Sequence, residues 1–258
     1  MKRRIALLLA LLSAAGMLWA QAKSAEEIMN RSRNRIEAKT VSTRARMVIS
    51  AKDGGSTERL VDQYTSTENG IAKTMVIFQK PTSVAGTRFL TIENPGKAAD
   101  QWIYLPSLGK VRRIAASEGS ASFMGTDLSY DDLSSADRDP DLDSYQLLRE
   151  ESLGGRNCWV IEAKPKSSDY QYSRMLGWID KENYIALKME LYDRKGKLAK
   201  IMEMGEVKDI QGRLSPTVTK MSSVQAGTST TIYIDIMKCD DPIPASVFTE
   251  RFLLTGRP

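Results

Sequence analysis

Between residues 24 and 38 the apolar positions recur at helical spacing. Ile28, Met29, Ser32 and Ile36 form one weakly apolar face, Ser24 stands as a cap, and Glu26 and Glu27 occupy the first turn. The pattern predicts one amphipathic helix. After it the period changes to two. Ala45, Met47 and Ile49 alternate with Arg44, Arg46 and Ser50; Leu187, Met189 and Leu191 with Lys188 and Glu190; Ile232, Ile234 and Ile236 with Tyr233 and Asp235. Such alternation predicts strands with one buried and one wet face. Breaks fall at Asp53-Gly54-Gly55, Asn69-Gly70, Pro95-Gly96, Leu108-Gly109, Gly154-Gly155, Lys181-Glu182-Asn183, Arg194-Lys195-Gly196 and Gln211-Gly212. Connections this short make sequence neighbours pair antiparallel. The expected fold is mainly β with few helices: about 10–11 strands in a meander, forming one curved sheet or an incomplete antiparallel β-barrel. The absence of a repeating strand–helix unit argues against Rossmann and TIM-barrel architectures.

One segment breaks the meander. From Ile114 to Ser144 the chain turns Ser-, Gly- and Asp-rich, with a brief helical hint at Tyr130–Leu133, and a second hint runs from Pro244 to Leu254. These pieces and the N-terminal helix are the only obvious covers for an apolar sheet face. Either the sheet rolls to cover itself or it keeps a cavity for an apolar guest. Methionines at 47, 75, 175, 189, 202, 204 and 221 fall in strands. They suit a surface that repacks around varied ligands, with plain core filling as the alternative.

The first 22 residues read as an export signal. Lys2, Arg3 and Arg4 precede the apolar run from Ile5, which ends in Ala20-Gln21-Ala22, so the mature chain is expected to start at Lys23 as a single domain, 23–258. A retained anchor is the alternative, on a run shorter than the ~20 residues of a spanning helix. Removing three cations leaves 34 basic against 32 acidic side chains. That near-balance removes the case for nucleic acid as a partner. Arg31, Arg33, Arg35, Lys39, Arg44 and Arg46 still crowd the mature N-terminus; they read as a solvated face, with a docking patch as the alternative.

The chain has no histidine and two cysteines. Histidine-based nucleophile systems, histidine metal sites and CxxC redox pairs are thereby excluded. Ser107-Leu108-Gly109-Lys110 matches S-x-x-K but reads as a turn between strands. Asp139, Asp141, Asp143 and Glu150 have calcium-loop spacing, yet Ser144 stands where that loop needs glycine, and no metal is expected. Asp127, Asp131 and Asp132 are the carboxylates an envelope hydrolase would use, though nothing marks a sugar cleft. Cys158 and Cys239 are candidates for a disulfide in an oxidising compartment, with two separate thiols as the alternative.

Three blocks resemble a known family. They are Gly86-Thr87-Arg88-Phe89-Leu90, then Gln101 to Pro106 with Gly109 to Ile114, then Ser122-Phe123-Met124-Gly125-Thr126-Asp127 running on to Leu133. A looser match continues through Gly177-Trp178-Ile179-Asp180. The chain is similar to outer-membrane lipoprotein-sorting proteins of the LolA/LolB-like superfamily, in the subgroup found beside RND-type membrane transporters. The resemblance implies an incomplete barrel lidded by helices, and a non-enzymatic periplasmic carrier of lipoproteins or related lipids, without cofactor. The implied partners are an acylated lipoprotein or lipid, an inner-membrane RND-type transporter and, transiently, a membrane, with the carrier itself a monomer. A lipid sensor or transporter accessory subunit that moves nothing is the alternative. Inward strand phase nominates Met47, Ile49, Met75, Phe89, Leu187, Met189 and Ile234 to line the acyl cavity. Trp102 and Tyr104 join them on a strand apolar on both faces, and Phe123 and Met124 are the expected lid.

Overall fold

The structure is a computed structural model, and it describes residues 23–134 and 140–257. The predicted export signal lies outside the described residues. Thirteen strands form one antiparallel sheet. The first six are β1 (Thr40–Ser50), β2 (Ser56–Glu68), β3 (Ile71–Lys80), β4 (Arg88–Asn94), β5 (Lys97–Leu105) and β6 (Lys110–Arg113). The rest are β7 (Asp143–Leu153), β8 (Arg156–Pro165), β9 (Tyr172–Asp180), β10 (Ala186–Asp193), β11 (Leu198–Ile210), β12 (Arg213–Ser223) and β13 (Thr228–Cys239). Each half is a meander, and the halves meet where β1 pairs with β13. The edges are β6 and β7, neighbours in the chain joined by the insert. The sheet is not closed.

The eight turn signals all fall between strands. At Asn69-Gly70 both residues have positive φ, 52° and 76°, which is what a two-residue hairpin turn demands and what Asn-Gly supplies. Three further hairpins, at 81–87, 166–171 and 224–227, carry no Gly-Gly, Asn-Gly or Pro-Gly pair, so the expected count of 10–11 strands fell short of thirteen. β6, four residues long and mostly exposed, also hides from alternation.

Helix α1 (Ala25–Arg33) starts where Ser24 Oγ accepts from Glu27 N at 3.1 Å. It ends five residues before the expected 38, and Ile36 instead reaches the mouth of a cavity described below. Ala25 and Ile28 pack on Ile161 and Ile179, on the inner face of β8 and β9. The insert supplies α2 (Tyr130–Ser134). The hint after Pro244 becomes a 3-10 turn and α3 (Glu250–Thr255), capped by Thr249.

The sheet carries a core on each face. Inside the curve, Met47, Val61, Phe78, Phe89, Ile103, Met175, Leu191 and Met221 pack against the insert. Outside it, Val247, Phe248, Phe252 and Leu253 cover Met75 and Leu90. Arg88 donates from Nε to Leu253 O at 2.6 Å and so ties α3 down. This second cover is why β4 and β5 are apolar on both faces. Burying each large side chain there contributes roughly 1.5–3 kcal/mol. No helix among the described residues is long and apolar enough to cross a membrane.

Candidate functional site

The inner face of the sheet is covered by the insert, and the insert is held by polar contacts to strands on both sides. Phe123 is fully buried, with ring centroids 5.0 Å from Phe89, 5.7 Å from Phe78 and 5.6 Å from Tyr130. Gln101 on β5 donates to Tyr130 O at 2.8 Å. Across the curve, Asp127 accepts from Thr230 Oγ1 on β13 at 2.7 Å and also from Thr228 Oγ1. Asp132 accepts from Ser129 N (2.8 Å), Gln171 Nε2 (3.1 Å), Tyr172 Oη (2.8 Å) and Lys200 Nζ (2.6 Å). Burial, with Asp132 adjoining, pushes the Tyr172 hydroxyl far above its ordinary range, so it remains a proton donor. The carboxylates of Asp127 and Asp132 are thus committed to holding the insert. Among the described residues no group of acidic or sulfur side chains has the arrangement of a metal site.

One inward side chain is not accommodated in this way. Arg59 on β2 lies opposite Met47, with its guanidinium carbon 5.8 Å from the Phe78 ring centroid. Its Nε and Nη1 are buried and have no hydrogen-bond acceptor. Donors left unmade in this way cost about 1–3 kcal/mol each. Burial pulls the pKa of this arginine down.

A cavity of about 1630 Å³ opens at the end of the curve where the β2–β3 and β4–β5 turns meet the insert. Ala72, Ala99, Ile114 and Leu142 give it apolar wall, and Arg33, Glu93, Asp100 and Asp131 give it a charged rim. Hydrogen bonds from Asn94 and Arg113 hold the Asp100 carboxyl below its usual range.

The structure divides the nominated residues. Met47, Ile49, Phe89, Met189, Phe123 and Met124 belong to the inner core, and Ile234 faces the same side opposite Ala45. None of them lines the cavity at the mouth. Met75, Trp102 and Tyr104 face outward, under the C-terminal segment. Leu187 also faces outward, against Trp178, because a β-bulge between Ala186 and Lys188 breaks the alternation that placed it inside. The candidate disulfide is absent: Cys158 and Cys239 are buried free thiols. Four strands lie between theirs. At about 4.8 Å per strand that is ~24 Å along the sheet, beyond the ~4–7 Å between Cα atoms that a disulfide spans. Alternation missed Arg59, since a lone arginine in Ser56-Thr57-Glu58-Arg59-Leu60 reads as part of a wet face; the usable signal was its shared phase with Val61.

A family model described as "Uncharacterized protein" matches residues 70–255. The chain belongs to that family. It is similar to a domain from Vibrio parahaemolyticus named for outer membrane lipoprotein sorting, at 29% identity and a TM-score of 0.84, over 89% of this chain and 98% of that one. A DUF1329 family protein from Desulfovibrio piger is similar at 27% identity and a TM-score of 0.85, over 89% and 97%. A LolA superfamily protein from Nitrosomonas europaea shares the fold at 21% identity and a TM-score of 0.71, over 90% and 100%. No curated protein matches the chain. Family membership and a LolA-like fold therefore agree with the resemblance carried by the Gly86–Leu133 blocks.

Proposed function

We propose that this protein is a periplasmic, non-enzymatic carrier that shields acyl chains of lipoproteins or related lipids on their way toward the outer membrane. The observation that carries the reading is the inner apolar face, spanned by a separate insert that is held by hydrogen bonds and ring contacts rather than by strand pairing. Such a cover can lift and re-close around a guest. Met47, Ile49, Phe89, Met189 and Ile234 are the wall, with Phe123 and Met124 as the lid; the outward Met75, Trp102, Tyr104 and Leu187 are left out.

The mechanism is differential burial. Each methylene exposed to water costs about 0.8 kcal/mol, so a ~16-carbon chain resists leaving a membrane by more than ~10 kcal/mol. A methionine-rich inner face replaces the membrane as solvent, and methionine adapts to chains of different length. In this reading the export signal is cleaved before Lys23, the carrier acts as a monomer, and an RND-type transporter delivers or receives the cargo during brief membrane contact.

Native mass spectrometry of protein purified gently from a bacterial periplasm, followed by lipid extraction, tests the proposal. A bound acylated species is expected. Protein that is empty and also fails to bind a fluorescent fatty acid refutes it. Met189→Asp should stay folded and weaken acyl binding; unchanged affinity removes Met189 from the wall.

A further inference from the structure

Arginines on the outer face of this sheet are provided for. Arg44 meets Asp62 at 2.7 and 2.9 Å, Arg46 meets Asp235 at 3.1 Å, and Arg88 reaches the carbonyls at the end of α3. Inside the curve Arg59 has an aromatic ring beneath it and two buried nitrogens without an acceptor. A ring face does not satisfy N–H groups, and a guanidinium cannot shed its charge to escape the apolar surroundings. Unsatisfied buried donors are rare enough in folded proteins that each calls for a reason.

The neighbourhood supplies one. Strand register lays a mostly apolar row across the inner face, interrupted only by Thr230: Met189 opposite Met202, Met202 opposite Met221, Met221 opposite Thr230, and Thr230 opposite Ile49. Met47 lies two residues before Ile49 on β1 and directly opposite Arg59. From β10 to β2 this spans five strand spacings, about 24 Å. A fixed cation therefore stands at one end of a long methionine-lined surface, the layout of a charged head followed by an acyl tail. Phe78, under the guanidinium, also touches the lid residue Phe123, so lifting the lid uncovers the Arg59 end.

We propose that Arg59 is the head-group site for an anionic amphiphile, pairing with its carboxylate or phosphate while the tail lies along the methionine row. The inference rests on the carrier reading and adds the sign and place of the head group. Charge-assisted pairing of arginine with an oxyanion is strong enough to dominate head-group preference.

Equilibrium binding of oleate, methyl oleate, lysophosphatidylglycerol and inorganic phosphate to the mature chain and to Arg59→Met and Arg59→Lys provides the test. The wild type should prefer oleate to methyl oleate by roughly 10- to 100-fold. Arg59→Met should erase that preference by weakening oleate alone, and Arg59→Lys should keep part of it. Lysophosphatidylglycerol binding as tightly as oleate, with the same sensitivity to Arg59→Met, identifies a lipid phosphate as an accepted head. Inorganic phosphate should not displace either amphiphile; if it does so at equal concentration, the amphiphile assignment fails. Equal binding of oleate and methyl oleate, unchanged in Arg59→Met, overturns the head-group site and leaves the carrier reading standing. Failure of all the acyl probes to bind folded wild-type protein overturns both. Arg59→Met should melt at or above the wild type, because it removes two buried donors that have no acceptor; if it misfolds, the test is read from Arg59→Lys, which should show a reduced preference for oleate, and an undiminished one overturns the head-group site.

Discussion

Asp132→Ala should loosen the insert before anything else in the molecule. The carboxylate is almost fully buried, at 3% side-chain exposure, and Lys200, its ionic partner, is at 18%. Four donors converge on it from three directions: its own turn through Ser129 N, the start of β9 through Gln171 and Tyr172, and β11 through Lys200. The four are not summed, because truncation mainly leaves the Lys200 ammonium and the Tyr172 hydroxyl buried without an acceptor. Breaking a buried pair in this way costs about 3–5 kcal/mol. For a domain of this size each kcal/mol moves Tm by about 2–4 °C, so a fall of roughly 6–20 °C is expected. Near-ultraviolet circular dichroism during a thermal melt measures the fall, and hydrogen exchange should show it concentrated in residues 119–134. The double change Asp132→Leu with Lys200→Met should lose less than Asp132→Ala, since it leaves no orphan charge. A Tm within 2 °C of the wild type, or a double variant worse than the single one, refutes this account of the insert's anchor.

Other outcomes follow from the same contacts. Phe123→Ala empties the centre of the aromatic cluster; it should destabilise by about 3–5 kcal/mol in urea and raise binding of a fluorescent fatty acid. Phe252→Ala should cost a similar amount by opening the outer core over Met75 and Leu90, yet leave fatty-acid affinity unchanged, since α3 lies on the other face. Both thiols are buried and pushed above their ordinary pKa by burial. Neither should react with a thiol reagent while the protein is folded, two should titrate after unfolding, and reductant should leave Tm unmoved. Backbone N–H bonds from Lys197 and Lys195 hold Asp193 below its ordinary range, as bonds from Ala115 and Arg112 do for Glu118 and from Asn94 and Arg113 for Asp100. The unfolded chain therefore binds more protons than the native one in acid. Stability from these groups is complete above the unfolded values near pH ~4 and lost as pH falls through the lower folded values. With no histidine to titrate, urea midpoints should be flat from pH 5 to 8 and drop only below about 4; a step between 5 and 8 contradicts this.

What could be read in the sequence was local. Alternation around Met47 and Met189 and pairs such as Asn69-Gly70 placed strands and turns, because both signals act within a few residues. Which face of a strand turns inward is a longer-range fact. Trp102 and Tyr104 look as suited to the inner core as Ile103 and Leu105, and only the destination of α3, some 150 residues later in the chain, decides between them. Leu187 was lost to a single bulge, which no pattern of period two can announce. Arg59 was illegible for the opposite reason. An inward arginine with two unsatisfied buried donors violates the rule by which patterns are read, and such violations concentrate where a protein does something.

The join between β1 and β13 sets the order in which the sheet can be finished. The remaining ladders, apart from this seam, connect strands adjacent in the chain and can zip from their own turns at small loop-closure cost. The seam alone pairs Thr43 with Met237 and must wait for the last strand. A chain emerging N-terminus first therefore holds β1 through β6 as a half-sheet whose open edge is β1, a strand that ends up at the centre. Until the seam closes, that edge is free to pair with any stranger. The charge of Arg46, whose partner Asp235 arrives only with β13, guards it during the wait.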